Sequence, residues 1–204
     1  MARYLLLHGF GGVGADHWLV WLSTELRQRG HVARIRKLPS PAAPELDAWM
    51  AAMRARLDVL GGAAAPLDEA GDASGELVVV AHSLGARLWL QHTQEFGRGG
   101  PHPVADRVAL VAPPRLPEGI PATRFHDLDF ERVRPELAAR ETRLVVSGND
   151  PYWPQGGAAG GVGDALGIPV DHVGDHGHLE PADGYGPWPS MLAWCLGDAD
   201  AIGA

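Results

Sequence analysis

Six short β-like runs punctuate the chain, with helical or turn-rich segments between them: Tyr4 to Leu7, His31 to Arg36, Leu77 to Ala81, Val108 to Ala112, Arg143 to Val146 and Pro169 to Val173. Leu77-Val78-Val79-Val80-Ala81 is apolar on both faces of the strand it would form, as a parallel sheet covered on two sides demands. Between the runs the apolar positions shift to helical spacing. Trp18, Trp21, Leu22 and Leu26 share a face in a segment that Asp16 is placed to cap and Gly30 to stop. Leu46, Trp49, Met50, Met53 and Leu57 predict a second helix, Leu84 to Phe96 a third closed by Gly97, and Trp188 to Leu196 a last one. Gly156 to Leu166 reads as a weak helix, because each interior glycine costs about 1 kcal/mol relative to alanine. Alternating strands and helices predict an α/β fold.

No repeat is visible, and the Gly/Ala/Asp-rich segments Gly61 to Gly75 and Gly156 to Gly163 read as loops rather than linkers. The proline-rich stretch Pro113 to Arg140 lacks a clear strand and is expected to cross one end of the sheet as a small cover. At 204 residues the chain is expected to form one domain, residues 1–204. Composition then removes several functions. Seventeen basic against 25 acidic residues leave a net charge of −8, a sign that repels phosphate backbones, so nucleic acid is not an expected partner. No uncharged apolar run approaches the roughly 18 residues of a membrane span, so no membrane association is expected either. The N-terminal apolar stretch is shorter than a secretory signal core, and the lone Cys195 precludes an internal disulfide. A cytoplasmic location is the expectation.

The most informative stretch is Leu77 to Ala86, where an apolar strand runs into Ala81-His82-Ser83-Leu84-Gly85 and then a helix. This is the context of a nucleophile elbow, in which small residues two before and two after the serine permit a very tight turn. The turn would hold the Ser83 hydroxyl clear of the backbone at a helix N-terminus. The plainer alternative is a serine that only caps the helix.

A serine hydroxyl needs a base, itself oriented by a third group, and in this fold class the chain order is Ser, Asp or Glu, His. The fifth run ends in Ser147-Gly148-Asn149-Asp150-Pro151, placing Asp150 at the carboxyl end of a parallel strand, on the rim of the elbow. After the sixth run comes Gly174-Asp175-His176-Gly177-His178-Leu179, which offers His178 as the base, with His176 as a rival. An Asn-Asp-Pro turn and a loop histidine are the plainer alternatives, and His31, His92, His102, His126 and His172 are read as loop histidines. A metal set of Asp175, His176, His178 and Glu180 lacks a second ligand cluster. No metal or organic cofactor is expected. An oxyanion hole needs two amides. Leu84 supplies one, and the glycine-rich His8-Gly9-Phe10-Gly11-Gly12 offers that of Phe10, with His8 positioned to pin the loop. The same glycines match nucleotide-binding motifs only weakly.

His8-Gly9, His17 to Trp21, Ala81 to Gly85, Val111-Ala112-Pro113-Pro114, Asn149 to Tyr152, Gly177-His178-Leu179 and Gly184 to Pro189 together resemble the α/β-hydrolases of the YdeN and retinoblastoma-binding protein nine type. The resemblance runs from the first strand to the last helix. It implies a compact serine hydrolase with a minimal cap, with Ser83 as nucleophile, Asp150 as acid and His178, rather than His176, as base. Two residues depart from the pattern: Ala81 replaces the first glycine of the elbow, and Glu180 stands where the family often carries asparagine.

The resulting expectation is a six-stranded, mostly parallel sheet in spatial order 2-1-3-4-5-6 with helices on both faces and the site at the switch point between strands one and three. The expected function is hydrolysis of a carboxylic ester or related small-molecule acyl compound through an acyl-enzyme on Ser83. Thioester or peptide cleavage and acyl transfer would use the same residues, and a protein-binding member with an idle elbow is the alternative of another class. Trp18, Trp153 and Trp188 fall near the rim and are expected either to line an acyl pocket or to pack in the core. The small cover argues against a deep tunnel for long acyl chains.

Overall fold

The computed structural model describes residues 1–61, 75–96, 104–115, 125, 128–153 and 158–204. Its strands are β1 (Arg3–Leu7), β2 (Val32–Arg36), β3 (Leu77–His82), β4 (Ala105–Val111), β5 (Ala139–Val146) and β6 (Val170–His172). They form one sheet in the order β2-β1-β3-β4-β5-β6, every neighbouring pair parallel. The helices are α1 (Trp18–Gln28), α2 (Leu46–Gly61), α3 (Leu84–Phe96), α4 (Pro135–Ala138), α5 (Ala158–Leu166) and α6 (Pro189–Leu196), with a 3-10 turn at Pro181–Asp183. This is the expected order and topology. The Gly97 stop, His102, His126, most of the Gly61 to Gly75 loop and part of the Pro113 to Arg140 cover lie outside the described residues. Among the described residues no helix is long and apolar enough to cross a membrane.

The strand period of two sorts the apolar side chains into two layers. Leu5, Leu7, Val79, Ala81, Leu110 and Leu144 face α2 and α3, where they meet Trp49, Met53, Leu57, Leu88 and Trp89. Tyr4, Leu6, Val78, Val80, Val111 and Val145 face the other way, toward Trp18, Leu19 and Leu22 of α1 and Met191 and Trp194 of α6. The described part of the cover packs on the first layer: Phe125 and Val133 are buried in it, and the Phe125 ring stands edge-on to Trp49 at 5.6 Å.

The sequence pattern missed three features. Asp16 does not cap α1; the cap is His17, whose Nδ1 accepts the Leu19 amide at 3.1 Å. Burial holds the His17 pKa down to about 4, so the ring is neutral at ordinary pH and keeps the lone pair that a cap requires. β4 and β5 begin earlier than the apolar runs, at Ala105 and Ala139, because the charged residues that open them are partnered. Arg107 binds Glu76 through two bonds of 2.5 and 2.7 Å and lies over Trp194, while Arg140 lies 3.4 Å from Asp106 on the neighbouring strand. Finally, β4 ends at Val111 because Ala112 adopts φ 45° and turns the chain out of the sheet.

Candidate active site

Every residue of the site sits at the carboxyl end of a strand. Ser83 follows β3 directly, with its amide donating to Val111 O at 2.8 Å and its carbonyl accepting the first-turn amides of Ala86 and Arg87. The backbone there has φ 55°, the left-handed region that a non-glycine residue enters only when its surroundings enforce it. What enforces it is close approach on both sides. A Cβ on Gly85 would sit 2.7 Å from His8 O and 2.9 Å from Leu7 O, and one on Gly9 would sit 2.7 Å from Ser83 Cβ. Ala81 is fully buried, facing α2 and α3, so the turn accepts a methyl group where the family pattern has glycine.

Ser83 Oγ lies 2.8 Å from His178 Nε2, and His178 Nδ1 lies 2.8 Å from Asp150 Oδ2. All three residues are buried. The other carboxylate oxygen of Asp150 accepts the Tyr152 amide at 2.9 Å, so the carboxylate is oriented from two directions. The loops that carry Asp150 and His178 are joined to each other. Gly148 N donates to Gly174 O at 2.8 Å, Gly177 N to Asn149 Oδ1 at 2.7 Å, and His176 N to Ser147 Oγ at 2.8 Å. His176 itself points elsewhere: it is exposed and its ring packs against Tyr185 at 5.4 Å.

Three further histidines hold the scaffold. His8 receives the Leu38 amide on Nε2 at 3.2 Å and donates from Nδ1 to Gly9 O at 2.7 Å, which pins the loop before Phe10. His82 donates from Nε2 to the carbonyl of His178 at 2.9 Å, and its ring lies 5.2 Å from both His17 and His178. Burial, then the neighbouring His178 and His17 rings, hold the His82 pKa well below the usual imidazole value, and burial also lowers that of His8. Both rings are thus neutral, His8 donating and accepting and His82 donating.

Ser83 and His178 open into a cavity of about 150 Å³ whose other walls are Phe10, Leu84, Pro114, Tyr152 and Glu180. Among the described residues neither the Phe10 nor the Leu84 amide finds an acceptor in the protein. The three tryptophans do not line this cavity. Trp18 and Trp188 are core residues stacked edge-on at 5.0 Å, and Trp18 donates its indole N–H to Leu179 O at 2.9 Å. Trp153 is spent on the Pro113 carbonyl and lines a smaller cavity of about 40 Å³ behind Asp150. Trp18 and Trp188 thus take the core alternative, and Tyr152, Pro114 and Glu180 wall the cavity instead; Pro114 and Tyr152 lie in the motifs that carry the family resemblance and Glu180 at a departure from it, but nothing in the sequence placed them at the cavity. Among the described residues, His82, His178 and Glu180 bring three metal-capable atoms within 4.8 Å of one another, without His176 or Asp175. Both ring nitrogens of His178 are already engaged, so an ion there would displace Ser83 or Asp150.

The parallel sheet in this strand order, with a strand-turn-helix elbow at its carboxyl rim, defines an α/β hydrolase. The chain belongs to the serine hydrolase family, whose model matches residues 4–195. It is 32% identical to YdeN of Bacillus subtilis over 92 residues, which are 44% of this chain and 42% of that protein's length. The crystal structure of the ydeN gene product superposes with a TM-score of 0.74 at 19% identity, over 97% of this chain and 98% of that one. A YdeN-like hydrolase of Pectobacterium atrosepticum gives 0.67 at 24% identity, covering 97% and 90%. Est1E of Butyrivibrio proteoclasticus, solved with ferulic acid bound, gives 0.64 at 12% identity, covering 97% and 89%.

Proposed function

We propose that this hydrolase is a carboxylesterase-like enzyme that cleaves small acyl esters through an acyl-enzyme on Ser83. The observation that carries the reading is the unbroken chain of hydrogen bonds from Ser83 Oγ through His178 to Asp150, opening into a cavity. Asp150 holds the His178 proton on Nδ1, which leaves the Nε2 lone pair facing the serine hydroxyl. As Oγ attacks the carbonyl carbon, its proton passes to Nε2 and the carbonyl electron pair moves onto oxygen. The amides of Phe10 and Leu84 receive that oxyanion, the second reinforced by the α3 N-terminus. The C–O bond to the alcohol then breaks, and His178 returns its proton to the departing oxygen. Water attacks the acyl-enzyme by the same route and frees Ser83. A cavity of about 150 Å³ suits groups of about the size of a benzene ring, which supports short or aromatic esters over long chains. Est1E, a fold neighbour, was solved with an aromatic acid, ferulic acid, bound.

The test is intact-mass analysis after reaction with a fluorophosphonate, run beside Ser83→Ala and His178→Ala. One adduct per wild-type chain is expected, absent from Ser83→Ala and formed at least about 10³-fold more slowly on His178→Ala. A folded wild type that takes no label would overturn the proposal.

A further inference from the structure

The cavity at Ser83 holds one carboxylate that the hydrogen-bonded chain does not use. Glu180 Oε1 lies 4.0 Å from His178 Nε2, and the side chain is 43% exposed. Beside it stand Phe10 and Tyr152, exposed by 42% and 37% although both are aromatic and both line the cavity. Tyr152 is also held edge-on to the His178 ring at 4.5 Å. Among the described residues no lysine or arginine pairs with Glu180; the titratable groups that face it are His178, Asp183 and Asp150. The mouth therefore combines a negative field with exposed aromatic rings, on a molecule of net charge −8.

The position of Glu180 relative to Nε2 also tells which half of a substrate it meets. On the proposed mechanism this nitrogen returns the proton to the leaving oxygen, so the leaving group must approach Nε2 on the cavity side. A carboxylate 4.0 Å from that nitrogen faces the alcohol half of the ester, not the acyl half. We infer that Glu180, together with the rings of Phe10 and Tyr152, selects esters whose alcohol carries a compact cationic group such as a quaternary ammonium. This inference rests on the reading of Ser83 as nucleophile and adds the class of leaving group. A cation there gains from the carboxylate and from both aromatic quadrupoles, while an anionic alcohol is repelled. The overall reaction is unchanged: ester and water give a carboxylic acid and the cationic alcohol.

Glu180 also has a structural duty, carried by its backbone: its carbonyl accepts the Asp183 amide at 3.0 Å and its amide donates to Asp183 Oδ2 at 3.4 Å around the Pro181–Asp183 turn. Glutamine keeps these backbone bonds and the side chain's size while removing the charge, so Glu180→Gln separates the two roles. The experiment uses two organophosphorus reagents with the same phosphoryl group, one releasing thiocholine and the other its uncharged carbon isostere, 3,3-dimethylbutanethiol. Both leave the same adduct on Ser83, so the ratio of their inactivation rates, each divided by the reagent's rate with hydroxide, reports the leaving group alone. The wild type is expected to prefer the cationic reagent by about tenfold, and Glu180→Gln to bring the ratio to within about twofold of one. A wild-type ratio near one would overturn the inference while leaving Ser83 as nucleophile. A preference that survives Glu180→Gln would overturn the assignment to Glu180. Failure of a fluorophosphonate to label the wild type would instead remove the underlying reading, and this inference with it.

Discussion

Asp150 shows how much a single pair of hydrogen bonds can decide. Oδ1 accepts the Tyr152 amide and Oδ2 meets His178 Nδ1. In Asp150→Asn the Tyr152 amide retains the oxygen, so the NH₂ group turns toward His178. Nδ1 must then accept, the ring proton moves to Nε2, and the lone pair facing Ser83 is lost. Asp150→Asn is therefore expected to slow fluorophosphonate labelling by about 10³- to 10⁴-fold with little change in the melting temperature. A variant labelled at the wild-type rate would show that the tautomer argument is wrong. On the proposed mechanism His82 acts at one remove as a positioning residue, tying the loop of His178 to the residue before Ser83 through the His178 carbonyl. Its place in the motif was plain from the sequence, but its hydrogen-bond partner lies 96 positions away.

The elements bring these residues together by close backbone contact. α3 starts so near the end of β1 that position 85 has no room for a Cβ beside the carbonyls of Leu7 and His8. Helix propensity alone would make Gly85→Ala stabilising by about 1 kcal/mol. The contact reverses the sign, because the atoms in the way are backbone and cannot rotate aside. Gly85→Ala is expected to destabilise by about 1–3 kcal/mol in urea unfolding, and a stabilised variant would refute the contact. The same scale explains the misplaced strand starts. Charged residues in a strand look like loop until their partners are known, and Glu76 and Asp106, which pair with Arg107 and Arg140, sit on other segments. The cap of α1 moved to His17 for a related reason, since only burial makes that imidazole a dependable neutral acceptor.

For the whole molecule, the cluster of neutral histidines under the site makes stability depend on pH. His17 has its pKa lowered to about 4, chiefly by burial, and His8 and His82 are lowered too. In the unfolded chain these rings take up protons near pH 6.5, whereas the folded chain resists until lower pH, so stability is complete above about pH 6.5 and falls on acidification. His17 alone is expected to contribute a loss on the order of 3 kcal/mol by pH 4. Thermal melts between pH 7.5 and 4.5 check this, and a flat profile would contradict it. By itself the sequence determined what depends on near neighbours in the chain: the order of strands and helices, the tight turn around Ser83, and a short set of acids and histidines placed just after strands. Tertiary structure alone decided what depends on partners far apart in the chain. It bonded Ser83 to His178 and turned His176 outward, drew Trp18 and Trp188 into the core, and set Glu180, Tyr152 and Phe10 around the cavity mouth. The physical reason is that a turn or a strand is specified by backbone sterics and local periodicity, whereas a pocket wall is whatever side chains the packed loops leave uncovered.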